Sequence, residues 1–186
     1  MSRPRRIEGY AIVSADGMIA DRNGIQPPGL LVEADKIFFH DALARAAAVV
    51  HGRHSYEGGG AEAARRKRLV LTRTITALAP HPRYPYGLLW NPAGASLEQA
   101  WDALAAPDGA LAVIGGTEPF GLFLGLGYDA FHLTRASRVR LPGGRPVFPE
   151  VPARAPEEVL AAHGLKAGPS EVLDRAADVA LTTWEA

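Results

Sequence analysis

A chain of 186 residues, 47% of them hydrophobic, is long enough to bury one full core and is ordinary for a globular protein. Its 20 Lys and Arg balance 20 Asp and Glu, so it lacks the basic excess of a dedicated nucleic-acid binder. Cysteine is absent, which excludes a thiol nucleophile, a disulfide framework and a Cys-based zinc site; the six histidines form no H-E-x-x-H pair, and no metal is expected.

No apolar run spans a bilayer, and no apolar signal core follows the basic start Met1-Ser2-Arg3-Pro4-Arg5-Arg6, so the cytoplasm is the expected location. Ile7–Val13 reads as a buried strand, and Ser14–Gly29, rich in Gly, Pro, Asp and Asn, reads as a loop. Asp35–Ala47 reads as a helix with Ile37, Phe38, Leu43 and Ala46 available to an apolar face. Short strands are expected over Ala48–His51, Arg68–Thr72 and Gly87–Trp90, with a Pro-rich loop before the last of these. Ser96 and Gln99 form a capping box that opens a helix whose Trp101 and Leu104 face inward. Leu111–Ile114 is a strand that Gly115-Gly116 breaks, Thr117–Leu124 a helix and Ala130–Thr134 a strand. Val159–Ala162, Val172–Leu173 and Val179–Trp184 read as irregular strands. Strands alternating with helices predict an α/β chain with a mostly parallel central sheet, covered on both faces, and antiparallel strands closing its C-terminal edge. Without repeat, linker or break in composition, residues 1–186 read as one domain.

Three stretches place phosphate donors at strand ends. In Val113-Ile114-Gly115-Gly116-Thr117-Glu118 an apolar strand stops at two glycines and a helix starts at once. Glycine admits close approach of a phosphate, and a helix N-terminus offers free N–H groups and a positive dipole end. The bland alternative is a tight turn that binds nothing. Gly52-Arg53-His54-Ser55-Tyr56-Glu57 follows another apolar strand and offers Arg and Ser as donors, against the alternative of a solvated surface turn. Arg65-Arg66-Lys67-Arg68 precedes the strand that ends at Thr72-Arg73, and Arg73 with that cluster would hold a 2′-phosphate, selecting NADPH over NADH. A solvated basic run is the alternative there. Asp35 and Phe39 are four residues apart and share a helix face.

In order, Gly52-Arg53-His54-Ser55-Tyr56-Glu57, Leu71-Thr72-Arg73, Val113-Ile114-Gly115-Gly116, Leu133-Thr134 and Phe148-Pro149 resemble the landmarks of the dihydrofolate reductases. Ser14-Ala15-Asp16-Gly17-Met18-Ile19-Ala20 and Leu126-Gly127-Tyr128-Asp129-Ala130-Phe131-His132-Leu133 are more similar to the reductase domain of bacterial riboflavin biosynthesis. The resemblance covers almost the whole chain and implies a dihydrofolate-reductase-like three-layer fold. It implies that Gly52, Arg53 and Ser55 contact NADPH phosphates, that Thr72 and Arg73 hold the adenosine end, and that Gly115, Gly116, Thr117 and Glu118 cradle the pyrophosphate. The loop from Ala15 to Asn23 would close over the nicotinamide and exclude water. Asp35 and Phe39 would grip a heterocycle, although Asp35 or Glu33 also suits a helix cap. Asp16 is the alternative polar residue, although a loop Asp-Gly is more often a turn. Gln26-Pro27-Pro28 stands where dihydrofolate reductases carry a Pro-Trp pair, a departure that bears on folate as substrate.

The expected activity is hydride transfer from NADPH to a C=N or C=O group of a pterin-like or ribosylaminopyrimidine-like substrate, with the proton from Asp35, Asp16 or water. The rivals are a true dihydrofolate reductase, a non-catalytic nucleotide-binding protein on the same fold and, against the zero net charge, a nucleic-acid module using Arg65–Arg68. Lacking cysteine, the chain is expected not to carry the zinc deaminase of the bifunctional riboflavin enzymes. A homodimer is expected from that resemblance, from Leu122-Phe123-Leu124 and from the apolar late strands.

Overall fold

The computed structural model describes residues 2–55 and 60–186; Tyr56 and Glu57 of the second phosphate-donor stretch lie outside the described residues. Among the described residues the centre is a nine-stranded sheet of β1 (Arg6–Ser14), β3 (Ala48–Gly52), β4 (Arg68–Leu71), β5 (Leu78–Pro80), β6 (Gly87–Trp90), β7 (Ala110–Val113), β8 (Ala130–Ala136), β10 (Lys166–Asp174) and β11 (Val179–Glu185). Their order is β10-β11-β8-β1-β7-β3-β4-β6-β5. From β8 to β6 every neighbour is parallel, while β10, β11 and β5 run antiparallel at the two edges. A separate ribbon pairs β2 (Met18–Ala20) with β9 (Arg145–Pro146).

The strand period of two sorts side chains into two cores. Ala48, Val50, Leu111 and Val113 join Phe120 and Phe123 of α4 (Thr117–Leu126), Trp101 and Leu104 of α3 (Leu97–Leu104), and Val159 and Leu160 of α5 (Pro156–Ala162). Val49 and Ala112 point the other way, with Tyr10, onto Ala42 and Leu43 of α1 (Glu33–Arg45). Helices thus cover both faces, which gives the three layers. The Ser96 side chain accepts from the Gln99 N–H at 3.2 Å and the Gln99 side chain accepts from the Ser96 N–H at 2.8 Å, closing the expected capping box.

The structure corrects several expectations. Val159–Ala162 belongs to helix α5, because Pro156 suits the first helical turn and the Glu158 carboxylate accepts from the Ala155 N–H at 2.9 Å. The stretch expected as a Ser14–Gly29 loop starts on the last residue of β1, contains β2 and runs into a short 3-10 turn over Pro28–Leu30, and the Pro-rich stretch contains β5. Helix α2 (Ala61–Arg65) buries no side chain and left no apolar pattern to find. The basic cluster is also spent differently than expected. Arg66 donates to the Leu43 carbonyl, and Lys67 donates to the Leu104 and Ala105 carbonyls at 2.8 and 2.7 Å, closing the C-terminus of α3. Arg68 is buried, lies 4.1 Å over the Tyr84 ring and donates to His51 Nε2 at 3.0 Å. Of the apolar residues that motivated a dimer, Phe123, Leu124, Val179 and Leu181 are buried inside the chain, whereas Val172 of β10 is 57% exposed.

Candidate functional site

A cleft of about 1200 Å³ opens over the carboxyl ends of the parallel strands, where ligands collect in open α/β sheets. Its first wall comes from three adjacent strands. Strand β3 delivers Gly52, Arg53 and Ser55, β4 delivers Thr72 and Arg73, and β7 delivers Gly115 and Gly116, continued by Thr117 and Glu118 at the start of α4; all nine line the cleft. The Gly52 N–H donates to the Gly115 carbonyl at 2.9 Å, which locks the two glycine turns side by side. A cis peptide joins Gly115 to Gly116, and Gly115 has φ +120°. A Cβ on Gly116 would sit 3.4 Å from Ser55 Oγ and 3.8 Å from Ile19 Cδ1, filling the space in front of the turn. The first turn of α4 has no intrahelical acceptor for the N–H groups of Thr117 and Glu118. Arg53 is exposed, whereas Arg73 is paired with Glu118 at 2.8 Å on the surface. The cradle suits a phosphate-bearing nucleotide: bare backbone where the chain must approach closely, N–H groups at a dipole end, and guanidinium groups at the rim. None of the Arg65–Arg68 cluster is among the described residues lining this cleft.

The second wall is built from side chains. Asp35 and Phe39 of α1 both line it, as the four-residue spacing requires, and Phe38 stands between them. Asp35 is no helix cap: Val32 occupies the cap position and no side chain bonds there. Burial pushes the Asp35 carboxyl above its ordinary value, and a hydrogen bond from the Thr134 hydroxyl on β8 pulls the other way. Tyr10 and His132 are register partners on β1 and β8, and their rings stack with centroids 4.6 Å apart. Neither they nor Phe38 stood out in the sequence as site residues. The alternation of β1 and β8 toward one face was their signal, and it has meaning only once α1 is known to lie there. Thr134 stood within the Leu133-Thr134 landmark, without a role.

Asp16 sits elsewhere. Its carboxylate accepts from the Leu141 N–H at 3.0 and 3.1 Å and from the Ser14 hydroxyl at 2.6 Å, and it is not among the described residues lining the cleft. Burial of this carboxyl is outweighed by those hydrogen bonds, so it is held below its ordinary value. Asp16 thus fastens the base of the loop, which the Arg135 guanidinium also grips by donating to the Ser14 and Ala15 carbonyls at 3.2 and 2.9 Å. The far part of that loop, with Ile19, Ala20, Asn23 and Gly24, borders the cleft between its two walls.

Solved structures with this architecture span nearly the whole chain. A dihydrofolate reductase from Enterococcus faecalis, complexed with NADP(H) and RAB-propyl, matches over 100% of this chain and 98% of its own, with a TM-score of 0.65 and 16% identity. The fold is that of dihydrofolate reductase. A riboflavin biosynthesis protein from Shewanella sp. PV-4 has the same dihydrofolate-reductase-like fold over 97% of this chain and 98% of its own, at TM-score 0.63 and 20% identity. The Thermotoga maritima diaminohydroxyphosphoribosylaminopyrimidine deaminase/5-amino-6-(5-phosphoribosylamino)uracil reductase matches 98% of this chain at TM-score 0.63 and 16% identity, and this chain spans 56% of it. No family model and no curated protein matches the sequence. No helix among the described residues is long and apolar enough to cross a membrane.

Proposed function

We propose that the chain is an NADPH-dependent reductase that delivers a hydride to a C=N or C=O group of a pterin-like or ribosylaminopyrimidine-like heterocycle. One observation carries the reading: glycine turns at a helix start and a half-buried carboxylate line the same cleft. NADPH, when bound, supplies the hydride. Gly52, Gly115 and Gly116 would let its pyrophosphate reach the backbone, with the Thr117 and Glu118 N–H groups, Arg53 and Ser55 as donors. Thr72 and Arg73 would hold the adenosine end. That the named solved structures include a reductase with NADP(H) bound supports the cofactor.

On the opposite wall Asp35 would pair with an amino-substituted edge of the substrate ring, and Phe39 would cover the ring's face. Thr134 orients the carboxylate, and burial keeps its proton available closer to neutral pH than for an exposed aspartate. Asp35 is therefore the group that would hold the proton needed at the reduced bond, in preference to Asp16, whose oxygens are engaged by Leu141 and Ser14. The loop bordering the cleft would exclude water once both ligands are in place.

The test is oxidation of NADPH, followed by its absorbance, with a panel of pterins, dihydrofolate and ribosylaminopyrimidines. Turnover of a ribosylaminopyrimidine or pterin is expected; turnover of dihydrofolate alone would make the chain a true dihydrofolate reductase. NADPH binding without turnover of any would leave a nucleotide-binding protein.

A further inference from the structure

Beneath Asp35 the cleft reaches a polar group to which the proposed chemistry gives no task. His132 lies two residues before Thr134 on β8, so both side chains face α1, about 6.6 Å apart along the strand at ~3.3 Å per residue. The imidazole is fixed on three sides. It stacks on Tyr10 at 4.6 Å, meets Phe38 edge-on at 5.4 Å, and its Nδ1 lies 3.0 Å from the Thr183 hydroxyl on β11. Tyr10 contributes only its ring face, because its hydroxyl donates to Glu8 at 2.6 Å. Nε2 of His132 has no hydrogen-bond partner among the described residues, although the ring lines the cleft. Burial lowers the basicity of the ring, against the pull of Glu8 and Glu185, and so favours its neutral form. A phenylalanine would fill the same slot in the Tyr10–Phe38 stack without leaving a polar atom to desolvate.

We infer that His132 is a specificity-determining residue whose Nε2 hydrogen-bonds a polar ring substituent of the heterocycle that Asp35 holds by its amino edge. His132 and Thr134 share one strand face and line the cleft with Asp35, so the substrate class is an aminopyrimidine, free or fused, that carries a further oxo or amino group. A pyrimidine without that group leaves Nε2 unpaired and is discriminated against. Whether Thr183 gives or takes the proton at Nδ1 sets whether Nε2 donates to a carbonyl or accepts from an amine. This inference rests on the proposed role of Asp35.

Three probes test it by calorimetry on the whole chain with NADPH present: 2-aminopyrimidine, 2-amino-4-oxopyrimidine and 2,4-diaminopyrimidine. One of the two substituted rings should bind about two- to tenfold more tightly than 2-aminopyrimidine, the worth of one neutral hydrogen bond. That gain should vanish in His132→Phe and shrink in Thr183→Val, which leaves the imidazole in place but unfastened. A wild type with no gain from either substituent, or a gain that survives His132→Phe, overturns the inference. If His132→Phe does not fold, an undiminished gain in Thr183→Val overturns it. NADPH titrated alone into the same wild-type sample separates the two readings. Absence of cofactor binding would sink the reductase proposal while leaving a His132-dependent gain standing, and cofactor binding with probe affinity that Asp35→Asn abolishes, but without such a gain, sinks only the role of His132.

Discussion

The two walls of the cleft are made of different material. The Gly52/Gly115/Gly116 wall is largely backbone, fixed by tight turns at three neighbouring strand ends, and its charged side chains hang at the exposed rim. The Asp35 wall is side chain, assembled from α1, β1 and β8 and held by Thr134, Tyr10, Phe38 and Phe39. A backbone wall tolerates loss of any one side chain, since the remaining donors still meet the ligand. A side-chain wall concentrates its function in one carboxylate, and it incurs a cost in stability to keep that group half-buried.

The sharpest break of this comparison is Asp35→Asn. It should lower kcat/KM for the true substrate about ten- to a thousandfold, as expected if two to four kcal/mol of transition-state stabilisation are lost, while leaving the NADPH Kd unchanged. Stability should move the other way. Because burial raises the folded-state pKa above the ordinary 3.8, the folded protein binds the Asp35 proton more tightly than the unfolded chain does. That contribution is complete below the ordinary value and is lost as pH rises through the folded one. Asp35→Asn should therefore raise Tm at pH 7 and leave it nearly unchanged at pH 3. A Tm unchanged at both, with activity intact, would remove Asp35 from the chemistry.

On the backbone wall the effects should be smaller and confined to the cofactor. Arg53→Ala should weaken NADPH binding by about one to three kcal/mol, the range of a charge-assisted contact, with Tm unchanged because Arg53 is exposed. Equal NADPH affinity in wild type and mutant would deny Arg53 its role. Gly116→Ala should cost about fivefold in NADPH affinity, the loss of roughly one hydrogen bond. Its Cβ finds ordinary van der Waals space at 3.4 Å from Ser55 Oγ, so the fold should tolerate it. A methyl that leaves NADPH affinity intact would mean that no phosphate approaches that turn.

The same division explains what the sequence could tell. Strand ends that stop at glycine, the Ser96–Gln99 box and the Asp35/Phe39 spacing are local patterns, and so are the Gly52-Arg53 and Gly116-Thr117 steps that line the cleft. Thr134, Tyr10 and His132 enter the site through strand pairing across more than a hundred residues, which no local pattern encodes. The Arg65-Arg66-Lys67-Arg68 cluster misled for the same reason. Its charge was visible, but the carbonyls at Leu43, Leu104 and Ala105 that take up Arg66 and Lys67 lie far off in the chain. Asp16 was legible as a turn residue, whereas its Leu141 partner was not. Val159–Ala162 looked like a strand because its apolar residues are contiguous; the helix there is fixed by Pro156 and Glu158, outside the apolar run.

The smallest expected effect concerns the choice between NADPH and NADH. With Arg66, Lys67 and Arg68 spent inside the fold and Arg65 not among the described residues lining the cleft, Arg73 is the residue of that region placed to meet a 2′-phosphate, and it is shared with Glu118. Both partners are well exposed, at 81% and 69%, so the pair itself is worth at most about 1 kcal/mol. Arg73 can therefore leave Glu118 for a phosphate at little cost, and the doubly charged phosphate is the stronger acceptor. Arg73→Ala should narrow the ratio of NADPH to NADH affinity, whereas Glu118→Gln should widen it by up to about twofold by releasing Arg73 and removing a negative charge beside the phosphates. The opposite signs are the test, because general damage to the cleft would move both mutants the same way. Both changes should fade in about 1 M salt, where screening acts within ~3 Å. Equal binding of the two cofactors by the wild type would mean that Arg73 meets no 2′-phosphate, and the exposed pair would then be surface charge alone.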